Sequence, residues 1–458
     1  MKSLLRSCLE MNSMTREMKD SGSEWIGKIP KEWEIVPAKS MFVQRNGKGN
    51  KCVLQLLSPT QKFGVIPQSL YEEKTGQNAV KLDEKTDLSA LKTMHKGDYC
   101  ISLRSFQGGF ELSEYEGVVS PAYQVFYPIK AISQRYYKHL FKTQRFINEM
   151  NSYTMSLRDG KNIAFADFGK SYIPVPPLSE QKRIGNYLDF KCSQIDRLSD
   201  NIKQQIEELG EYKKALITQA VTKGLDPDVE MKDSGSEWIE TIPMGWNLVK
   251  HKYFTSKIGS GKTPRGGAET YTDKGPLFIR SQNVYDTGLI TQGISHITPE
   301  VEATMLSTRV RHNDLLLNIT GGSIGRCAIY KLNNVIANVN QHVSIIRINS
   351  FPVLPEYLHY FWISNYGSLV IGLAQKGTDR EGMPAEAIKE VPVPLPPYEE
   401  QKNIANYLDS KCSKIDSIIK TKNELLKTIQ DYKKSLIYDY VTGKREVPTL
   451  YRKDGCHE

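Results

Sequence analysis

The chain has 458 residues, 39% hydrophobic and 25% charged, with a formal net charge of +9 and seven cysteines. Its length predicts roughly three domains, and its composition is that of a globular protein. No apolar run reaches the roughly 18 residues a membrane span requires, and the opening MKSLLRSCLEMNSM lacks the apolar core of a secretory signal. Cys8, Cys52, Cys100, Cys192, Cys327, Cys412 and Cys456 are scattered, without a CxxC pair. That spacing points to a reducing, cytoplasmic setting and argues against a disulfide framework or a structural zinc. The positive charge suits a polyanionic partner without demanding one.

In chain order, residues 1–17 read as an N-terminal extension, because the first repeated unit opens at Met18. MKDSGSEWI at Met18 is written again, letter for letter, at Met231. Each copy opens a box A, SGSEWIGKIPKEW or SGSEWIETIPMGW. Its tryptophans (Trp25 and Trp33, Trp238 and Trp246) read as anchors for the adjoining variable region. A second pair comes later: IPVPPLSEQKRIGNYLDFKCSQID from Ile173 and VPLPPYEEQKNIANYLDSKCSKID from Val393, offset by 220 residues. This box B continues through EYKKALITQAVTKG and DYKKSLIYDYVTGK at the same offset. The order is box A, variable region, box B, written twice, with variable regions at about 35–172 and 248–392. The last box B could lead straight into the first box A, so the two would meet in space.

The prolines of PVPPL and PLPPY cannot be helix interior and read as extended lead-ins. Ser179 or Glu399, followed by Glu-Gln, looks like a helix start with acids facing the dipole. Beyond it, Leu188, Ile195, Ile202, Leu209 and Leu216 recur every seven residues, and the second copy gives Leu408, Ile415, Ile429 and Leu436, broken at Lys422. Leu198, Ile206 and Tyr212, and Ile418, Leu425, Leu426 and Tyr432, are expected to fill the other seam position. Such a stripe means one helix packed along another, here each copy against the other and antiparallel. The plainer alternative is a helix pressed on its own domain. From Asp196 to Thr222 the helix would be about 40 Å long, close to one turn of B-DNA.

The predicted architecture is α+β. Two pseudo-two-fold-related α/β domains with their opening boxes (18–174 and 231–394) are separated by two long antiparallel coiled-coil helices, one in 175–230 with a linker and one in 395–445. Residues 446–458 form a tail.

Several suggestive motifs fail. KIGSGKT resembles a phosphate loop, but Ser256 stands where GxxxxGK[ST] needs its first glycine. LPPY at Leu395 lacks the polar residue that leads the prolines of an amino-methyltransferase. PDVEMK at Pro227 imitates a nuclease carboxylate–lysine pattern within one short, solvated linker, whereas metal-dependent cleavage needs acids converging from separated strands. The eight histidines form no HExxH or His–Cys cluster, and there is no GxSxG elbow. No catalytic residue and no metal ligand is assigned. The variable regions instead carry GSGKTPRGG, FIRSQNV, ITGGSIGR and NVNQHV in the second copy, and QRNGKGNK, SLRSFQGG and SLRDGKN in the first. Arginine suits guanine, asparagine or glutamine suits adenine, and lysine suits phosphate; Gly-rich polar turns are also common in any β-rich fold.

From Met18 onward the chain resembles the specificity subunit of type I restriction–modification systems. The marks are GSEWIG.IP..W, P.PP..EQK.IA.YLD and their duplication around two divergent segments. GKTP, IRSQNV, GGSIGR and NQHV are similar to that family's second-region strands, and GDYCIS, GGF and GVVSPAYQVF to a common first-region type. The resemblance implies two target recognition domains, each reading half of a bipartite asymmetric site on double-stranded DNA. It also implies helices that set the spacer and dock two methyltransferase (M) subunits, with restriction (R) subunits joining the full complex. This chain would bind no cofactor; S-adenosylmethionine, ATP and magnesium belong to the partners. DNA contact would fall to Lys262, Thr263, Arg265, Arg280, Gln282, Asn283, Arg326, Asn340, Gln341 and Arg380 in the second domain. In the first it would fall to Arg45, Arg104, Gln107, Arg158, Lys161 and Asn162.

Two other classes stay open from the sequence. A fused restriction–methylation enzyme would need a methyltransferase core, whose cofactor-binding Gly motif and Asn/Asp-Pro-Pro-aromatic tetrad are missing from the sequence. A scaffold using the helices for protein partners alone would show no sequence-selective DNA retention. The target sequence is not legible from residue types, because contacts depend on loop geometry.

Overall fold

The computed structural model describes residues 16–48, 55–77, 88–101, 109–153, 163–349, 352–376 and 382–448. Two compact units divide the chain, and the first is built from two separate segments that flank the second. Unit 1 comprises Met1–Ile202 with Glu424–Glu458, and unit 2 comprises Lys203–Asn423.

In unit 1, box A folds as β1 (Met18–Asp20) paired antiparallel with β2 (Lys28–Pro30), then β3 (Glu34–Pro37). The variable region supplies β4 (Phe42–Gln44), β5 (Tyr99–Ile101), β6 (Phe110–Leu112) and β7 (Gln124–Pro128), which make a four-stranded antiparallel sheet in the order β4-β7-β5-β6. Helices α1 (Gln134–Leu140), α2 (Gln144–Ser152) and α3 (Phe165–Lys170) come next. The core between sheet and helices is aromatic: Phe42 lies edge-on to Tyr99, Phe126, Tyr137 and Phe141 at centroid distances of 5.4–5.7 Å. Edge-to-face contacts of this kind add to simple burial. The proline lead-in is then a strand, β8 (Tyr172–Val175), paired antiparallel with β3. That pairing ties box A to box B and brings the two ends of the variable region together. It opens α4 (Leu178–Lys223).

Unit 2 repeats the plan. Box A gives β9 (Met231–Ser236), β10 (Ile239–Pro243) and β11 (Asn247–Lys250). The variable region gives β12 (Thr255–Ser260), β13 (Tyr271–Ile279), β14 (Ser295–Ile297), β15 (Leu315–Asn318), β16 (Cys327–Ile329), β17 (Ala337–Val339) and β18 (Val343–Ile348). They form a four-stranded sheet, β12-β18-β15-β16, and a three-stranded one, β14-β13-β17, in which β13 and β17 run parallel. Helices α5 (Pro355–Ile363), α6 (Asn365–Lys376) and α7 (Ala385–Glu390) come after them. Strand β19 (Pro392–Leu395) pairs with β11 and opens α8 (Tyr398–Val441). Here the core is mainly aliphatic, around Leu315, Leu317, Ile346 and Val393.

The invariant letters of the two boxes have one job in both units. The indole N–H of Trp33 donates to Glu180 at 2.9 Å, and that of Trp246 to Glu400 at 3.1 Å. Gln181 accepts from the Ser133 amide and donates to the Pro176 carbonyl. Gln401 accepts from the Leu354 amide and donates to the Pro396 carbonyl. The Glu-Gln pair thus closes the first turn of each long helix and fastens box A and the variable region to it. At the far helix ends, Tyr136 donates to Val441 and Tyr357 to Val221. Gly443 takes φ +71°, and a Cβ there would lie 2.4 Å from Pro30, so only glycine ends that helix. Arg16 reaches Glu446 at 2.9 Å, which brings the last box B to the first box A as the circular order implies.

Both long helices open one residue before the expected starts at Ser179 and Glu399, and with 46 residues in α4 and 44 in α8 they run well beyond the Asp196–Thr222 stretch. The early turns account for the excess, because Ile184, Tyr187 and Leu188 pack into the unit 1 core and Ile404 and Leu408 into that of unit 2. Pressing on a domain and pairing with a helix are successive parts of one rod. Within unit 1, α4 and α8 pair antiparallel, with Tyr187 near Tyr440 and Asp196 bridged to Lys433 at 2.6 Å. Within unit 2, Lys213 bridges Asp416 at 2.7 Å and Lys422 donates to Gln205.

Of the expected seam, Leu188, Ile202, Leu408, Ile415 and Leu436 are buried, and Ile195, Leu209, Leu216 and Ile429 half-buried. The second seam position needs correction. Leu198, Tyr212, Ile418 and Tyr432 are 50%, 59%, 46% and 38% exposed. Ile206 and Leu426, expected in this stripe, do lie in it, and Leu425 is half-buried beside it, but the stripe falls four residues after the first throughout, on Cys192, Ser199, Ile206, Lys213 and Ala220 in α4, and on Cys412, Ile419, Leu426, Lys433 and Tyr440 in α8. All are buried or half-buried. Small and charged side chains in that stripe concealed the rest of it from a search for large apolar ones. Burial pushes the Cys192 and Cys412 thiols up to about 11.

Candidate nucleic-acid interface

Four connections of unit 2 converge at one end of its sheets: Gly261–Gly266 after β12, Arg280–Asn283 after β13, Ile319–Arg326 between β15 and β16, and Asn340–His342 between β17 and β18. Backbone bonds lace them together. The Gly261 amide donates to Val343 and the Lys262 amide to Val339, while Asn340 donates to Ile279 and Ile319 to His342, at 3.0–3.2 Å. A Cβ on Gly261 would sit 1.8 Å from the Val339 carbonyl oxygen, so this close approach requires glycine. The buried Asn318 amide bridges the Ser281 carbonyl at 2.9 Å and the Ser323 hydroxyl at 3.1 Å. The end is therefore a braced surface, the condition for holding contact groups in fixed positions.

On it, Lys262, Thr263, Arg265, Gln282 and Gln341 are exposed, and Arg280 and Arg326 half-buried. Arg280 lies over the Tyr271 ring at 5.4 Å and Arg326 over Tyr285 at 4.6 Å, so an aromatic face orients each guanidinium. Among the described residues, none of these four cations makes an ion pair. Elsewhere in the same unit, by contrast, Arg347 is locked to buried Asp314 and Arg309 to Glu302, both at 2.7 Å. Cations that make no ion pair, Arg326 having only the charge of Asp286 near it, suit phosphate oxygens when carried on rigid loops.

Two expected contacts in this unit belong to the fold instead. Asn283 is buried, accepting from the Arg280 amide at 3.0 Å and donating to the Ile290 carbonyl at 3.1 Å. Asn340 is buried and its side-chain oxygen accepts from the His342 amide. Each amide shapes its own turn, which residue type alone could not reveal.

Unit 1 gives a further correction. Arg45 grips the buried Asp98 with two bonds, at 2.6 and 3.0 Å, and lies over Tyr127 at 4.2 Å. Its guanidinium compensates a buried carboxylate and is spent there. The remaining expected contacts of the first domain, Arg104, Gln107, Arg158, Lys161 and Asn162, and Arg380 of the second, lie outside the described residues. Thr320 and His342, the residues the sequence reading missed, sit centrally in the cluster. The Thr320 hydroxyl lies 2.6 Å from His342 Nδ1, and Thr320 also pairs with Gly382 across an antiparallel bridge. The NQHV motif was the available signal, with attention drawn to its amides.

Among the described residues, no three His, Cys, Asp or Glu side chains are placed to hold a metal ion. No helix among them is long and apolar enough to cross a membrane. The family described as type I restriction modification DNA specificity domain matches residues 30–209 and again 250–428. The MjaVIII type I restriction enzyme specificity subunit of Methanocaldococcus jannaschii is 28% identical over 306 residues, covering 65% of this chain and 68% of that protein. A putative MjaX specificity subunit from the same organism is 25% identical and covers 93% and 96%. For the EcoBI specificity subunit of Escherichia coli the identity is 24%, and the match spans 65% of this chain and 63%, under two thirds, of that protein. A chain from a solved structure on complex assembly and conformational transition of the type I R-M system shares the fold. Its TM-score is 0.69 at 15% identity, with 91% of this chain and 99% of that one covered.

Proposed function

The chain belongs to the type I restriction–modification DNA specificity family, and from that premise we propose that each unit reads one half of a bipartite asymmetric site on double-stranded DNA. The observation that carries this is the braced loop end of unit 2, where Lys262, Arg265, Arg280 and Arg326 make no ion pair among the described residues. The cations hold phosphates, and the polar side chains between them meet base edges. The long helices set the spacer between half-sites. Adenine methylation and ATP-dependent cleavage belong to partner M and R subunits in the cytoplasm, which supply S-adenosylmethionine, ATP and magnesium.

Two M subunits are supported by a patch that occurs once in each unit. Leu198 of α4 and Tyr432 of α8 lie level with the Asp196–Lys433 bridge in unit 1. Ile418 and Tyr212, their counterparts at the 220-residue offset, lie level with Lys213–Asp416 in unit 2. Exposed apolar side chains repeated beside the same ion pair suit two copies of one partner.

A gel shift with and without the methyltransferase partner tests the central reading; retention that ignores sequence and salt would refute it. Leu198→Glu and Ile418→Glu should each remove one M subunit in native mass spectrometry; full occupancy in both variants would overturn the docking assignment. Inserting about four residues, one helical turn, after both Leu209 and Ile429 should lengthen the spacer and leave both half-sites intact. Altered half-sites would end the spacer role.

A further inference from the structure

Two side chains leave the best-braced of the four loops, Asn340–His342: Gln341, exposed, and His342, half-buried. A threonine from a neighbouring loop holds each. The Thr263 hydroxyl donates to Gln341 Oε1, and Thr320 Oγ1 lies 2.6 Å from His342 Nδ1. Thr320 is itself fixed, because its neighbour Ile319 donates to the His342 carbonyl and accepts from the Met383 amide.

We infer that Gln341 and His342 form a pair of donors that reads guanine, with Thr263 and Thr320 as the positioning residues that hold them in place. The inference rests on the DNA-reading proposal above and names the chemistry of one position within it. Thr263 engages one of the two Oε1 lone pairs and leaves both Nε2 hydrogens of Gln341 to offer. Adenine recognition by a glutamine needs the second Oε1 lone pair together with the amide N–H, so an A·T position is the competing outcome of the test. A neutral imidazole that accepts the Thr320 proton at Nδ1 carries its own proton on Nε2, a second donor. Two adjacent donors match the one base edge that offers two acceptors in the major groove, guanine N7 and O6.

The test uses the full chain with its methyltransferase partner and maps methyladenine genome-wide. The unaltered chain should give a motif with G·C at one position in one half-site. Thr263→Val and Thr320→Val should each relax that position by roughly tenfold or more, leaving the other half-site and the melting temperature unchanged. Thr320→Ser, which keeps the hydroxyl, should restore discrimination, a recovery that a packing role for the methyl group would not give. An unchanged motif in both valine variants, relaxation at an A·T position, or changes in both half-sites would overturn the guanine assignment while the DNA-reading proposal stands. Methylation without sequence preference by the unaltered chain would sink the DNA-reading proposal, and this inference with it.

Discussion

The same nine residues fold in two ways. In the first MKDSGSEWI, Trp25 is 5% exposed and lies edge-on to Phe146 at 5.4 Å; in the second, Trp238 is 43% exposed at the tip of the β9–β10 hairpin. The difference comes from the residues just beyond the segment and from the surface that receives it. Gly27, with φ +70°, closes the first copy into a compact turn, its amide bonded to Ser23. Glu240 stands in its place in the second, and strand β10 runs through it. In unit 1 the Tyr438 hydroxyl donates to the Trp25 and Ile26 carbonyls, and its ring lies between Arg145 at 4.5 Å and Lys444 at 4.0 Å. The counterparts in unit 2 are Thr218, Asn365 and Gly224. A cavity of about 360 Å³ opens there, lined by Thr218, Trp238, Asn365, Tyr366 and Leu369 among others. Identical local sequence therefore leaves conformation to its surroundings.

The sharpest way to separate the units is at their arginines. Arg45→Gln should cost unit 1 about 3–5 kcal/mol in a urea melt by leaving Asp98 buried and unpaired, with the salt dependence of DNA binding unchanged. A shallower salt slope would return Arg45 to the interface.

Acid should come next. His139 of unit 1 meets Asp189 at 2.7 Å. Burial pushes the Asp189 carboxyl up, but the bond and charge of His139, with Lys138 and Arg135, prevail and hold it below its ordinary value. In unit 2 the counterpart Asp409 accepts from Tyr360 instead. Burial holds His359 and His251 down to about 4, against weaker opposition from backbone bonds. An unfolded histidine takes its proton near pH 6.5 and these folded ones near 4. Their contribution is therefore full above pH 6.5 and is lost as pH falls towards 4, about 3 kcal/mol for fully buried His251. The Asp189 contribution is lost only as pH falls through its lowered folded value. Melts at pH 7 and 5 should show unit 2 weakening first, with His251→Phe blunting the loss; equal weakening of both units would contradict this.

The turn itself can be exchanged. Gly27→Glu should destabilise unit 1 by about 1–2 kcal/mol through left-handed strain. Glu240→Gly should draw Trp238 inward, read as an upfield or downfield move of one of five fluorotryptophan resonances. A spectrum identical to that of the unaltered chain would assign the difference to Thr218 and Asn365 alone. The smallest effect concerns charge: Arg265→Ala should leave stability within about 0.5 kcal/mol and reduce the salt slope by about 0.9.

Repeats, lead-in strands and long helices were legible because each rests on periodicity or proline chemistry, which are local. The first helical stripe was legible for the same reason. Its companion was legible only at Ile206 and Leu426, because Cys192, Ser199 and Lys213 become seam residues only when the other helix arrives. Arg45 read as a DNA contact because Asp98 lies 53 positions away. Asn283 and Asn340 read as contacts because a turn-forming amide and a base-reading amide are the same letter. Each miss is a long-range partner or a turn geometry that residue type does not encode.

Cys192 and Cys412 occupy matching places inside the rods, and both are protonated and hidden at neutral pH. A thiol in that state resists oxidants and alkylating reagents. Cys412 also borders an open cavity of about 550 Å³, whereas modification of Cys192 can proceed only as fast as the rods part, so labelling kinetics at that sulfur would clock the breathing of its half.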